Sequence, residues 1–313
     1  MPSWQARAFD SYARLVIRRR DWGGDAPALA RRARRVFGAP PPLQRAAVRG
    51  LDVAAVVDPS GVRGEWLRAP GAADAAAGVL LYVHGGGFVA GSAATHRGVT
   101  AALARALRIP VFAADYRLAP EAPFPAAVDD VLAAYRWLGA RGAPGAPVVV
   151  AGESAGGGLA LLLAQHARDA GWAAPAAVAA LSPWTDLAGT GPSVRGNDGR
   201  CAMFHHANIP AFAAAYLQGA APDDPRASPL YGSAAGLPPV LLQVGSTELL
   251  LDDARRMHDR IVAAGGESRL TIYRDVAHAW HLLAPHLPEA ERAVDEVAAL
   301  ARRCLGHAAA TAA

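Results

Sequence analysis

Short runs of strand-forming residues alternate with longer helical stretches through most of this chain of 313 residues. From about residue 46, eight such runs are predicted to be β-strands, at residues 48–57, 61–70, 78–84, 111–117, 147–152, 176–184, 239–245 and 269–275. Several of these runs are apolar at nearly every position, as strands covered on both faces must be. The alternation predicts an α/β fold with a mostly parallel eight-stranded sheet and helices on both faces.

Two regions depart from this alternation. Residues 1–45 are predicted to be helical, and residues 185–228 carry the turn signals "GTGPS" and "GNDG" before a helix near 206–218. Segments of this kind often cover the ends of the strands in an α/β sheet. We therefore predict that both segments form a helical cap over a main domain at residues 46–313.

The charge of the chain does not indicate a nucleic-acid partner. The formal net charge is +4, and all of the basic residues are arginines because the sequence contains no lysine. The arginines concentrate at residues 18–20 and 30–37. Arginines at this spacing are typical of the solvated face of a surface helix, and we expect no nucleic-acid binding.

Neither a disulfide framework nor a transmembrane segment is indicated. The two cysteines, Cys201 and Cys304, lie far apart and outside any C-x-x-C pattern, which also disfavours a zinc site. The N-terminus mixes charged and apolar residues, unlike a signal peptide. No uninterrupted apolar stretch reaches the roughly 20 residues of a membrane-spanning helix. We expect a cytoplasmic protein without integral membrane association.

The strongest local signal is "VVVAGESAGGGLALLLAQ" at residues 148–165. A β run leads into "GESAG" at 152–156 and directly on into an apolar helix. This is the strand, turn and helix context of a G-x-S-x-G nucleophile elbow, where the serine occupies a strained turn and small neighbours keep strand and helix from colliding. We predict that Ser154 is the nucleophile.

A serine hydroxyl needs a base to take its proton and an acid to orient that base. After a nucleophile elbow these partners follow in the order acid, then histidine. The stretch "VLLQVGSTELLLDD" at 240–253 offers Glu248, just after a predicted strand, and Asp252; "TIYRDVAHAWHLL" at 271–283 offers His278. We predict His278 as the base and Glu248 as the acid, with Asp252 as the alternative acid.

Three consecutive glycines, within "HGGGF" at residues 84–88, follow the strand predicted at 78–84. Glycine adds no side chain to a core, so such a run indicates that something approaches the bare backbone. When a serine attacks an acyl carbonyl, preorganised N–H groups stabilise the developing oxyanion by roughly 3 kcal/mol each. We predict that Gly86, Gly87 and Ala155 supply them. A phosphate-binding loop is disfavoured, because neither G-x-x-x-x-G-K-[ST] nor G-x-G-x-x-G occurs here.

Five motifs follow one another in a characteristic order: "HGGGF", "DYRLAPEAPFPAAVDD" at 115–130, "GESAGG", "LSPWTDL" at 181–187 and "AHAW" at 277–280. Together they resemble the bacterial hormone-sensitive-lipase-like family of α/β-hydrolases, from about residue 48 to 303. The resemblance implies a capped α/β-hydrolase fold and a carboxylesterase acting on short- to medium-chain acyl esters. It implies the same nucleophile, base, acid and oxyanion donors, with no metal or organic cofactor.

The sequence departs from that family at two positions. The family more often has Asp where this chain has Glu153, and Asp as the catalytic acid where this chain offers Glu248. The stretch at 278–293 also resembles a branch that contains ε-lactone hydrolases, so a lactone hydrolase with the same triad is the alternative function. A non-catalytic ligand-binding homologue is disfavoured because Ser154 and His278 are retained, and a peptidase because the glycine loop favours esters.

Substrate selection is expected to depend on the cap and on apolar side chains near the site. The candidates are Phe88, Trp184, Phe204, Phe212 and Trp280, of which Trp184 is equally well explained as a core residue. We expect a small-molecule ester or lactone as the partner, and the family resemblance is compatible with a homodimer.

Overall fold

The computed structural model describes residues 1–38 and 41–311, with side chains up to Gly306. The described residues form an eight-stranded sheet in the order β1-β2-β4-β3-β5-β6-β7-β8. The strands are β1 Asp52–Val57, β2 Arg63–Arg68, β3 Val79–Val83, β4 Val111–Ala114, β5 Val148–Glu153, β6 Ala177–Leu181, β7 Val240–Gly245 and β8 Ser268–Tyr273. Each lies within its predicted run or extends one residue beyond it. The predicted fold class is confirmed.

Pairing is antiparallel for β1 with β2 and for β2 with β4, and parallel across the rest of the sheet. Every residue of β3, β4, β5, β6 and β7 is buried. The edge strands β1 and β8 are partly exposed. Because parallel strands all end at the same edge, the loops after β3, β5, β6 and β7 converge there.

Helices cover both faces of the sheet. They are α1 Trp4–Tyr12, α2 Ala26–Phe37, α3 Pro41–Ala47, α4 Arg97–Leu107, α5 Ala126–Trp137, α6 Ala155–Asp169, α7 Pro192–Gly196, α8 Asn208–Leu217, α9 Leu251–Ala263 and α10 Pro288–Thr311. Alternate residues of β3 enter two different cores. Leu81 and Val83 pack in the core that includes α5, α6 and α9, whereas Leu80 and Tyr82 pack in the core that includes α4 and α10.

The two segments predicted to form a cap contact each other. Helix α2 packs against α8. The Arg18 guanidinium donates to the carbonyl oxygens of Cys201 and Phe204, both at 2.6 Å. The predicted boundary between residues 45 and 46 falls inside α3.

The described residues contain no metal-binding cluster, no disulfide and no candidate membrane-spanning helix. Within the described residues, no group of three or more His, Cys, Asp or Glu side chains could hold a metal ion. Cys201 and Cys304 are both buried and unpaired. Across the part of the chain that the structure describes, no helix combines the length and apolar character needed to cross a membrane.

Candidate active site

Ser154 lies in a sharp turn between β5 and α6. Its backbone has φ +55° and ψ −122°, in the region where a serine is strained. A Cβ atom at Gly152 would collide with the carbonyl oxygen of Gly156, and one at Gly156 would collide with the carbonyl oxygen of Val83. The glycines of the "GESAG" turn are therefore required by the close approach of strand and helix.

His278 bridges Ser154 and Glu248. Its Nε2 lies 2.9 Å from Ser154 Oγ, and its Nδ1 lies 2.5 Å from Glu248 Oε2. A carboxylate can only accept, so Nδ1–H donates to Glu248 and Nε2 is available to accept the serine proton. Both His278 and Glu248 are buried. The structure thus brings the three predicted residues into one hydrogen-bonded chain.

The second oxygen of Glu248 is held by groups at the ends of two strands. Glu248 Oε1 accepts from Ser182 Oγ at 2.7 Å and from the Gly245 N–H at 2.5 Å. Asp252, the alternative acid, instead accepts from the Ser193 N–H at 2.7 Å. The geometry favours Glu248 as the acid. The sequence analysis missed Ser182, whose only signal is its position directly after β6.

The predicted oxyanion donors have unpaired N–H groups. Gly86 and Gly87 have φ values of +110° and +61°, which glycine adopts readily. Neither of their N–H groups donates to an acceptor in the described residues. Ala155 is the first residue of α6, so its N–H has no partner within the helix. Gly86 and Gly87 line the same cavity as Ser154, and Ala155 directly follows it in the chain.

A cavity of about 1080 Å³ adjoins this cluster and is lined in part by residues of both predicted cap segments. Ser154, His278, Gly86 and Gly87 line one end of it. Three of the predicted pocket residues also line the cavity, namely Trp184, Phe204 and Phe212. Sequence reasoning missed many further apolar lining residues, which include Phe37, Met203 and Ile209.

Two predicted pocket residues do not line the cavity, and their assignment was wrong. Phe88 is fully buried and stacks on Tyr216 with a centroid separation of 3.8 Å. Trp280 is fully buried between Tyr273 and His281. Both are aromatic residues at the ends of sequence motifs, "HGGGF" and "AHAW". Neighbours in a turn point in different directions, so adjacency does not determine which side chain reaches the cavity.

The residue before the nucleophile, Glu153, and the side chain of His96 form a buried carboxylate–imidazole pair. The Glu153 carboxylate is 2.8 Å from His96 Nε2 and accepts from the Tyr82 hydroxyl at 2.5 Å. Burial alone would raise the pKa of Glu153, but the charge and hydrogen bond of His96 hold it below its usual value. The sequence analysis did not single out His96, which lies on no recognisable motif.

Comparison with known families and proteins gives a consistent result. A family profile described as "alpha/beta hydrolase fold" matches residues 80–282. An acetyl-hydrolase of Streptomyces hygroscopicus is 43% identical over 242 residues, which cover 77% of this chain and 80% of that protein. An ethyl acetate hydrolase of Pseudomonas putida is 35% identical over 223 residues, covering 69% of this chain and 70% of that protein.

Solved structures extend the similarity to nearly the whole chain. An esterase from the bacterial hormone-sensitive lipase family superimposes with a TM-score of 0.86 at 38% identity, covering 97% of this chain and 100% of that one. A crystal structure of EstE5 soaked with p-nitrophenyl butyrate gives a TM-score of 0.87 at 36% identity, with coverages of 97% and 99%.

Proposed function

Because this chain belongs to the α/β-hydrolases, in the bacterial hormone-sensitive-lipase-like family, we infer that it hydrolyses carboxylic esters. We propose further that it acts on short- to medium-chain acyl esters through an acyl-enzyme intermediate. The observation that carries this proposal is the hydrogen-bonded chain from Ser154 through His278 to Glu248, beside unpaired backbone N–H groups. These are the parts that acyl transfer to a serine requires.

In the first step, Ser154 Oγ attacks the ester carbonyl carbon while His278 Nε2 takes the hydroxyl proton. The carbonyl oxygen gains negative charge and accepts hydrogen bonds from the N–H groups of Gly86, Gly87 and Ala155. Because these donors are already oriented, little reorganisation accompanies the charge development. The carbon–oxygen bond to the alcohol then breaks, and the alcohol leaves with the proton from Nε2.

In the second step, water hydrolyses the acyl-enzyme. His278 Nε2 takes a proton from water as its oxygen attacks the acyl carbon, and then returns the proton to Ser154 Oγ as that bond breaks. Throughout, Glu248 accepts from Nδ1–H, which fixes the tautomer and stabilises the imidazolium in each half-reaction.

The proposed substrate range draws on two features. The similar proteins include an acetyl-hydrolase and an ethyl acetate hydrolase, whose names indicate small acyl groups. The cavity of about 1080 Å³ has aromatic and aliphatic walls and could hold chains longer than acetyl. A short- to medium-chain preference is consistent with both.

The decisive experiment compares wild type with Ser154→Ala on p-nitrophenyl acetate, butyrate and palmitate, and on ε-caprolactone as the cyclic alternative. We expect kcat on the preferred ester to fall by about 10⁴- to 10⁶-fold in Ser154→Ala, because the nucleophile is lost. Ser60→Ala, at an exposed serine in the β1–β2 turn, is the matched control and should retain full activity. Equal activity of wild type and Ser154→Ala, or no activity in either, would contradict the proposal.

A further inference from the structure

The carboxylate of Glu153 is buried in the wall of the cavity, on the residue before the nucleophile. Its Oε1 accepts from His96 Nε2 at 2.8 Å and from the Gly85 N–H at 2.5 Å, and its Oε2 accepts from the Tyr82 hydroxyl at 2.5 Å. Glu153 is 1% exposed and His96 is 4% exposed. Burial of a charged carboxylate is costly unless a countercharge and donors compensate for it, and both are present here.

The surroundings of His96 favour its charged form. Its Nε2 faces Glu153, and its Nδ1 lies 2.9 Å from the carbonyl oxygen of Ser92 and 2.9 Å from Thr95 Oγ1. The Thr95 hydroxyl has an acceptor of its own in the Ser92 carbonyl oxygen, at 2.9 Å, so Nδ1–H and Nε2–H can both donate to acceptor oxygens. Burial would lower the pKa of His96, but the charge of Glu153 reverses that effect and raises it. The two side chains therefore form a buried ion pair.

This ion pair meets the backbone at the start of the glycine loop. The Gly85 N–H donates to Glu153, and the Gly85 carbonyl oxygen lies 2.8 Å from His84 Nδ1. The carbonyl oxygen of His84 in turn accepts from the Tyr116 hydroxyl at 2.8 Å. A Cβ atom at Gly85 would collide with Glu153 Oε1, so the carboxylate lies directly against the backbone. The peptide groups on both sides of Gly85 are thus held in place.

We propose that Glu153 and His96 are positioning residues for the oxyanion hole. Their ion pair fixes the Gly85 amide and, through it, the direction in which the next two N–H groups, of Gly86 and Gly87, point. Neither residue needs to touch the substrate. This inference rests on the proposed function, because it assigns a role within ester hydrolysis. It assigns a function to the glutamate of "GESAG", a residue type that the geometry of the nucleophile elbow does not require.

The first test is Glu153→Gln, which keeps the size of the side chain and removes its charge. We expect kcat for p-nitrophenyl butyrate to fall by about 100-fold, since a displacement of roughly 1 Å at an oriented group has an effect of that size. KM should change by less than about threefold, because the oxyanion forms only after binding. Glu153→Asp retains the charge and should recover most of the lost activity. A folded Glu153→Gln protein with unchanged kcat would overturn the proposal.

Glu65→Gln is the matched control. Glu65 is also buried, and it forms an ion pair with Arg97 at 2.6 Å. Arg97 directly follows His96 in the chain. It has no contact with the glycine loop, so removing its charge should lower the melting temperature without changing kcat by more than about twofold. If Glu65→Gln lowered kcat as much as Glu153→Gln, general destabilisation would explain both effects and the proposal would fail.

A second measurement reports on the oxyanion hole directly. A butyl boronic acid forms a tetrahedral adduct with the serine, and one of its oxygens occupies the oxyanion position. In Glu153→Gln, the inhibition constant of the boronic acid should rise by about the same factor as kcat/KM falls, because both depend on the N–H donors of the oxyanion hole. An unchanged inhibition constant alongside a lower kcat would overturn the assignment.

A third measurement needs no activity and no variant. In wild-type protein with ¹⁵N-labelled histidine, the titration midpoint of the His96 ring should lie above the usual histidine value of about 6.5, and a midpoint below that value would overturn the proposal. Together with the activity of wild type, this spectrum distinguishes a failure of the proposed function from a failure of the positioning role. If wild type hydrolyses no ester, the proposed function is wrong, and the ion pair is judged by this spectrum. If wild type is active and Glu153→Gln is equally active, only the positioning role is wrong.

Discussion

The central sheet and the N-terminal segment, which is one of the two predicted cap segments, differ in how completely they are buried. In the central strands β3 to β7 every residue is buried, and close packing fixes the turns that follow them. Residues 1–38 bury some apolar side chains, such as Trp22 at 2% exposure, but leave others in water, with Trp4 69% and Leu15 58% exposed.

Buried apolar residues attach the N-terminal segment to the rest of the protein, and arginines add polar contacts. Residues 1–45 contain 10 of the 31 arginines of the chain, and these include Arg18, which binds the Phe204 carbonyl, and Arg34, which pairs with Glu121 at 2.6 Å. Partly exposed ion pairs of this kind contribute about 0 to 1 kcal/mol each. From this comparison we expect that the sheet positions the catalytic groups, whereas the two predicted cap segments limit the space available to the substrate.

The largest effect is expected in the sheet region, from Glu248→Gln. Loss of the carboxylate leaves the His278 tautomer unfixed, and kcat should fall by about 10⁴-fold with little change in melting temperature. Asp252→Asn is the matched control, because Asp252 accepts from the Ser193 N–H and not from His278. This substitution should lower kcat by less than about threefold. If Asp252→Asn were the more damaging variant, the acid would be misassigned.

A smaller effect, specific to chain length, is expected from the cap variant Phe37→Ala. Phe37 lines the cavity from the N-terminal segment, and we expect its ring to contact the outer part of a long acyl chain. At about 0.8 kcal/mol per methylene, kcat/KM for p-nitrophenyl octanoate should fall by about fivefold to tenfold, and that for acetate by less than twofold. Leu15→Ala, outside the cavity lining, should change neither. Equal losses on both esters would show that Phe37 supports the chemistry itself.

The smallest effect is expected where the two regions join. Asp253 of α9 accepts from the N–H groups of Thr185 and Asp186, at 2.7 and 2.8 Å, where the second cap segment begins. Burial, reinforced by the charge of Asp186 and opposed by Arg256, raises the pKa of Asp253 to about 8. Between about pH 4 and 8 the folded state keeps a proton that the unfolded state has lost, so stability falls as pH rises.

Asp253→Asn should remove this dependence while an amide oxygen keeps accepting from both N–H groups. We expect the melting temperature of wild type to fall by a few degrees between pH 5 and pH 8 relative to that of the variant, measured by calorimetry at constant ionic strength. Parallel pH profiles for the two proteins would mean that Asp253 does not titrate in this range.

Much of the fold could be predicted because its signals are local. The apolar run of β5 and the small residues of the "GESAG" turn specify strand, turn and helix from adjacent positions alone. The same holds for Ser154 and for the glycine loop, since the chemistry of each residue type is tied to a recognisable spacing. His278 was predictable because it follows a strand at the edge where parallel strands end.

Pocket residues and supporting contacts were harder to predict. Phe88 and Phe212 are both aromatic residues, yet only Phe212 lines the cavity. Nothing local in the sequence distinguishes them, because the direction of a side chain depends on how its turn packs against distant segments. His96 went unnoticed for the same reason, since its partner Glu153 lies 57 residues along the chain.

The sequence by itself determined the order of strands and helices, the nucleophile and the types of residue that serve it. Periodicity and turn chemistry act over a few residues, so they can be read without coordinates. Only the tertiary structure decided which carboxylate reaches His278, which aromatic rings line the cavity and which ion pair supports the glycine loop. Those outcomes depend on distances between groups far apart in the chain, and packing of the whole sheet sets those distances.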